Sequence, residues 1–154
     1  MDLKMQYALV TSSREALFGY CRMIAAADFI LEHSSFGRGS IRNLLVHNAN
    51  TYQFWIGKNG LQRDMIYPEY DSVTTITEAR QLFSVVDALV HEFLEYFAGN
   101  ETQEISILKN GKPATTTPLQ LFTHVITHEF HHKGQILSLS RHLGYIPIDT
   151  DVIR

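Results

Sequence analysis

The sequence holds one cysteine, Cys21, among 154 residues. A lone cysteine forms no internal disulfide and fits a reducing, cytoplasmic setting. No run approaches the ~18 consecutive apolar residues of a membrane span, and the chain does not open on a basic segment followed by an apolar stretch. A membrane-embedded or exported protein is therefore not expected. Positive charge is not in excess: 13 Lys and Arg face 16 Asp and Glu, a net charge of −3, which argues against nucleic acid or an acidic membrane as partner. With only four prolines, and no repeat or low-complexity tract, nothing divides the chain. One domain over residues 1–154 is expected, near the ~150 residues typical of one. Hydrophobic residues at 45% and charged residues at 19% speak against disorder. A domain of this size needs neither disulfide nor metal merely to fold.

What the chain has in quantity is histidine: eight in all, five of them from His124 to His142. Four helical stretches frame them. The first is expected from Ser12 or Ser13 to about Glu32, with Leu17, Tyr20, Ile24 and Leu31 among its apolar positions. Ser40 caps a second, which holds His47, Tyr52 and Trp55 and ends near Gly57 or Gly60. A surface loop follows from Gln62 to Thr75. Thr77 opens the third helix, closed by Gly99-Asn100. Asn110-Gly111 between β-prone runs predicts a hairpin. Pro118 then starts a fourth helix that stops at Gly144. The expected fold is all-α, an antiparallel four-helix bundle with a small β-hairpin between helices 3 and 4.

On the fourth helix, Leu121, Val125, Ile136, Leu139 and Leu143 define the buried stripe. At ~100° per residue, His132 falls near its centre and His128 within roughly 40° of it. His124, His131 and His142 lie on the flank. The i,i+4 spacing sets the Cβ atoms of His128 and His132 ~5–6 Å apart, a reach that suits two ligands of one ion. Two core imidazoles satisfied by hydrogen bonds are the plainer reading, but burying two polar rings without a shared purpose is costly. Periodicity does not supply the third ligand. His91 points away from the third helix's stripe, and His33 reads as a surface residue or one that compensates a helix dipole. His47, at the edge of the second helix's apolar face, is the best third candidate. Three histidines leave a coordination position open, as catalytic sites do.

His128-Glu129-Phe130-His131-His132 also matches H-E-x-x-H, the zinc-protease pattern in which the glutamate is the general base. The wider pattern fails: Gln135 and Ser138 stand where an extended motif needs Gly and His, and no glutamate follows Glu129. Glu129 lies about 60° from the stripe centre, so a solvated helix charge is the first reading and an acid–base role the second. Tyr52 and Trp55 read as core, as does Cys21. Gly134 reads as a point of close helix packing, and Gln135 either as a surface amide or as a hydrogen-bond partner of the site.

The stretch from Pro118 to Gly144, with its H-V-x-x-H-x-x-H-H-x-G-Q-I core followed by R-x-L-G, Pro147 and Asp149, resembles the last helix of the DinB/YfiT-like metalloenzymes. The segment Leu44–Trp55 around His47 is similar to that family's second helix, and the order of helices and hairpin agrees over nearly the whole chain. The resemblance implies an antiparallel four-helix bundle, often a homodimer. It also implies a divalent ion held by His47, His128 and His132, with His131 at the rim. Zinc suits three imidazoles; nickel and iron are compatible. Glu129 departs from the small or neutral residue many relatives carry. Some relatives are transferases or isomerases dependent on bacillithiol, mycothiol or glutathione, so the resemblance implies a thiol S-transferase or a small-molecule hydrolase. A non-catalytic metal-binding module for stress response or interaction is the alternative.

Overall fold

Asp2 caps the first helix, its carboxylate accepting the Met5 N–H at 3.0 Å, and α1 runs Leu3–Cys21. The computed structural model describes residues 2–154. The cap lies ten residues before the expected start. Leu3, Tyr7, Val10 and Leu17 then fall at helical spacing on one buried face. The helix also stops early, and α2 (Ala26–Ile30) is separate. Ile24 and Phe29 are both buried. Five residues apart, they would point about 140° from each other on one straight helix, so the chain turns between them. The extended Ala25 at that turn donates its N–H to the Tyr145 hydroxyl at 3.0 Å. The described residues thus form five α-helices where four were expected.

Ser40 caps α3 (Ile41–Tyr52) through the Asn43 N–H. The helix continues as a π-helix over Gln53–Gly60. Its glycines permit close approach. A Cβ at Gly57 would sit 2.6 Å from the Met65 sulfur, and one at Gly60 would sit 2.6 Å from the Phe93 ring. A short 3₁₀ turn, Tyr70–Ser72, interrupts the following loop. The next helix, α4 (Ile76–Tyr96), is capped by Thr75, not Thr77. Glu78 decides this. Its carboxylate reaches back to the Thr75 N–H while its own N–H bonds Thr75 Oγ1, a reciprocal box that places the cap at Thr75, two residues before Thr77.

Strands β1 (Ile105–Lys109) and β2 (Lys112–Thr116) pair antiparallel, Lys109 opposite Lys112. Asn110 and Gly111 between them both have positive φ, as a two-residue hairpin turn requires. Thr117 and Gln120 form a second capping box at the start of α5 (Pro118–His142), and Gly144, at φ +92°, ends the helical path. The expected hairpin and last helix are thus both present. The described residues are mostly helical, at 61%.

α3 packs on α4 and α5, and α1 packs on the same two. Tyr7, Phe18, Tyr52, Phe83, Phe93 and Phe122 fill the space between them. A charged network crosses this core. Arg14, 3% exposed, donates from Nε and Nη2 to the two Glu129 oxygens at 2.7 and 3.0 Å, and from Nη1 to Asp87 at 2.6 Å. Tyr52 donates to Glu129 Oε2 and Tyr7 to Asp87, each at 2.6 Å. Burial raises both phenols well above their ordinary pKa, so they stay protonated donors. The solvated-charge reading of Glu129 is therefore wrong: Arg14 draws the carboxylate inward, a partner that helical periodicity cannot reveal.

Lys133 fastens the end of the chain, donating to Ser13 Oγ at 2.8 Å and to the Thr150 carbonyl at 2.7 Å. Gly134 corrects another expectation. It is exposed, and a Cβ there would meet nothing within 4 Å, so it does not serve close packing. No helix among the described residues is long and apolar enough to cross a membrane.

Candidate metal centre

Where α3 crosses α5, three imidazoles converge. His47 comes from α3; His128 and His132 come from successive turns of α5. One ring nitrogen from each lies within 4.8 Å of the others. The Nε2 atoms of His47 and His128 are 3.1 Å apart. Two nitrogens at ~2.0–2.1 Å from one ion are separated by about 3.0 Å in octahedral and about 3.3 Å in tetrahedral geometry, so this spacing suits a shared ligand.

Hydrogen bonding sets the direction of the lone pairs. His132 Nδ1 donates to Gln135 Oε1 at 2.5 Å, which leaves Nε2 as the free lone pair. That Nε2 is buried and has no hydrogen-bond partner among the described residues. Thr51 donates its hydroxyl to the His47 carbonyl at 2.9 Å, and its oxygen lies 3.3 Å from His128 Nε2. A proton on His128 Nε2 satisfies His47 and Thr51 but still leaves His132 orphaned. A cation among the three satisfies every lone pair, so the residues fit a metal ion.

The imidazoles are held neutral, as ligands must be. Burial lowers His47 and His128 to about 4, and it lowers His132 as well. Neighbouring imidazoles and the positive charge of Arg38 act in the same direction on all three. Arg38, which the sequence reading passed over, occupies a positive-φ position in the loop before α3.

The other histidines stay outside this set. His124 and His131 are exposed on the flank of α5, their rings against those of His128 and His132. His91 is exposed on α4, beside Tyr7. His33 is not at a helix end, because α2 stops at Ile30; it packs instead against Phe36 and His142. Glu129, whose second reading was an acid–base role, has both oxygens engaged by Arg14 and Tyr52. Cys21 is buried in the core, its thiol pushed up to about 12 by burial, which leaves no thiolate there at neutral pH.

Beside His47 opens a cavity of about 360 Å³, lined also by Asn50, Thr51, Phe54, Trp55 and Tyr67. Trp55, expected in the core, is half-buried and forms part of this wall, whereas Tyr52 is core as expected. The loop read as a plain surface connection supplies Tyr67, and Asn50 Nδ2 pins it through the Pro68 carbonyl at 3.0 Å. Four of these residues stand at i+3, i+4, i+7 and i+8 from His47, a helical spacing that the sequence reading did not use.

The DinB family profile matches residues 2–154. The chain belongs to the DinB family. None of the curated proteins compared with it matches. In this DinB chain the two histidines selected by helical arithmetic and the third selected from α3 are brought together by the fold. Gln135 was half-anticipated, and it bonds His132 as one of its two readings required.

Proposed function

We propose that this DinB chain is a divalent-metal enzyme that uses His47, His128 and His132 as ligands, with zinc as the metal, and transfers a low-molecular-weight thiol to a small-molecule electrophile. The observation that carries this is the buried Nε2 of His132, without a hydrogen-bond partner among the described residues, in a cluster where one ring nitrogen from each of the three histidines lies within 4.8 Å of the others. Family membership supports the same placement of the ligands. The four long helices pack in the cyclic order α1–α4–α3–α5, which supports the bundle reading.

When bound, the ion supplies positive charge that lowers the pKa of a thiol, giving a thiolate at neutral pH. The chain's own residues prepare for this. Gln135 fixes the tautomer and orientation of His132. Burial keeps the three imidazoles unprotonated, so protons do not compete for their lone pairs near pH 7. The Arg38 guanidinium adds a second positive charge that favours an anionic sulfur at the site. Transfer of such a thiol would form a thioether bond to the electrophilic carbon, its leaving group departing with the bonding electron pair and the thiol proton passing to solvent. The engaged oxygens of Glu129 argue against the protease mechanism, in which that residue would need a free carboxylate beside the ion.

The test is turnover of metal-loaded protein with glutathione, bacillithiol or mycothiol and an activated aryl halide, followed by thioether formation and halide release. Turnover that is lost in His132→Ala supports the transferase. Bound metal with no turnover of any thiol, or of ester and amide substrates, supports the non-catalytic module instead.

A further inference from the structure

The cavity beside His47 is walled by rings from two separate segments. The face of α3 that carries His47 carries Asn50 and Thr51 one turn on, then Phe54 and Trp55 in the π-helical continuation. The Phe54 and Trp55 ring centroids are 4.9 Å apart at 85°, so the pair presents two perpendicular faces, a corner. Trp55 is braced by the His124 ring at 5.1 Å. Tyr67 reaches the same space from the loop that Asn50 pins.

Two of the wall's polar side chains, Asn50 and Thr51, are already engaged. Asn50 donates to the Pro68 carbonyl and accepts from Gln53; Thr51 donates to the His47 carbonyl. No carboxylate and no cationic side chain lines the cavity. What it offers an incoming group is aromatic carbon, with a histidine ring at one end. A cationic group, which aromatic walls otherwise attract, would find no carboxylate among the lining residues to balance it. A volume of about 360 Å³ is at the small end of ligand sites and suits one or two rings.

We propose that this cavity binds an uncharged aromatic ring of the substrate, seated in the Phe54–Trp55 corner against Tyr67, with the reacting atom directed past His47 toward the three histidines. The proposal deepens the function above and rests on it for the direction of the reacting atom. The ring site itself does not need the metal.

Trp55 is the single tryptophan of the chain, so an ¹⁵N-labelled sample gives one indole N–H signal that reports on this wall alone. Chelator-treated protein is titrated with phenol, cyclohexanol and tetramethylammonium. Phenol is expected to move the indole signal saturably, through its ring current, and to bind at least about fivefold tighter than cyclohexanol. Tyr67→Ala, a change in a half-exposed loop residue, is expected to weaken phenol severalfold, as loss of one aromatic contact does. No saturable shift, equal affinity for phenol and cyclohexanol, or tighter binding of tetramethylammonium overturns the proposal. Zinc-loaded protein is then compared with benzohydroxamate and acetohydroxamate, which chelate alike and differ by the ring. About tenfold preference for the aryl compound, reduced by Tyr67→Ala, joins the ring site to the metal site; equal affinities overturn that link. If zinc does not bind at all, the metal function fails, while the phenol titration still decides the cavity.

Discussion

Arg14 and Glu129, 115 residues apart in sequence, form a two-pronged ion pair in the middle of the helical core, at 2.7 and 3.0 Å. Glu129 is the chain neighbour of His128 and lies about 100° around α5 from it. One residue thus faces the histidine cluster while the next anchors the helix that carries it. Tyr52 and Thr51 repeat the arrangement on α3, bonding Glu129 and contacting His128 respectively.

Removing one partner of a buried pair strands the other charge, at a cost of about 3 kcal/mol or more. Glu129→Gln is therefore expected to lose that much stability in chemical denaturation while still binding one ion per chain once folded. A loss below about 1 kcal/mol, or full stability with the ion gone, would show that Glu129 belongs to the metal site and not to the core.

Gln135 accepts the Nδ1–H of His132 and so presents Nε2 to the site. Partners of this kind alter metal affinity by about 10–100-fold. Gln135→Leu is expected to weaken zinc binding in a competition titration by that factor, with little change in the stability of metal-free protein. Unchanged affinity would mean that packing alone orients the ring.

The stability of metal-free protein is expected to depend on pH through the same histidines. Folded His47 and His128 titrate near pH 4, whereas an unfolded histidine titrates near ~6.5. Between those values the unfolded chain binds more protons, so stability falls as pH drops from about 6.5 to about 4. His47→Gln is expected to flatten that slope in urea titrations at several pH values. A variant slope equal to the wild type's would contradict the depressed values.

Gly134 lies inside α5 with open space where its Cβ would be. Gly134→Ala is expected to stabilise the protein by about 0.5–1 kcal/mol, seen as a higher denaturation midpoint. Destabilisation would show a neighbour that the geometry lacks.

Local rules carried much of this fold and failed at identifiable points. Ser40, Asn110-Gly111 and Pro118 act through near neighbours, and each does what its chemistry predicts. His128 and His132 were legible because their spacing falls within the apolar stripe of one helix. The break after Cys21 was not, because it follows from seating both Ile24 and Phe29 in a core whose other side is remote in sequence. Glu129 was misread for the same reason: its direction is set by Arg14, on a helix more than a hundred residues away. Trp55 looked like core because a half-buried cavity wall and a core position share one hydrophobic pattern. His47 stood as a candidate on residue type and position, and only the crossing of α3 over α5 brings its Nε2 to 3.1 Å from that of His128.

Metal content tests the central claim most directly. Protein purified without chelator or histidine tag is assayed by elemental analysis beside His132→Ala. The account predicts about one divalent ion per chain in the wild type and none in the variant. A wild-type protein without metal, even after incubation with zinc and nickel, would contradict it and leave the three histidines as a polar seam in the helical core.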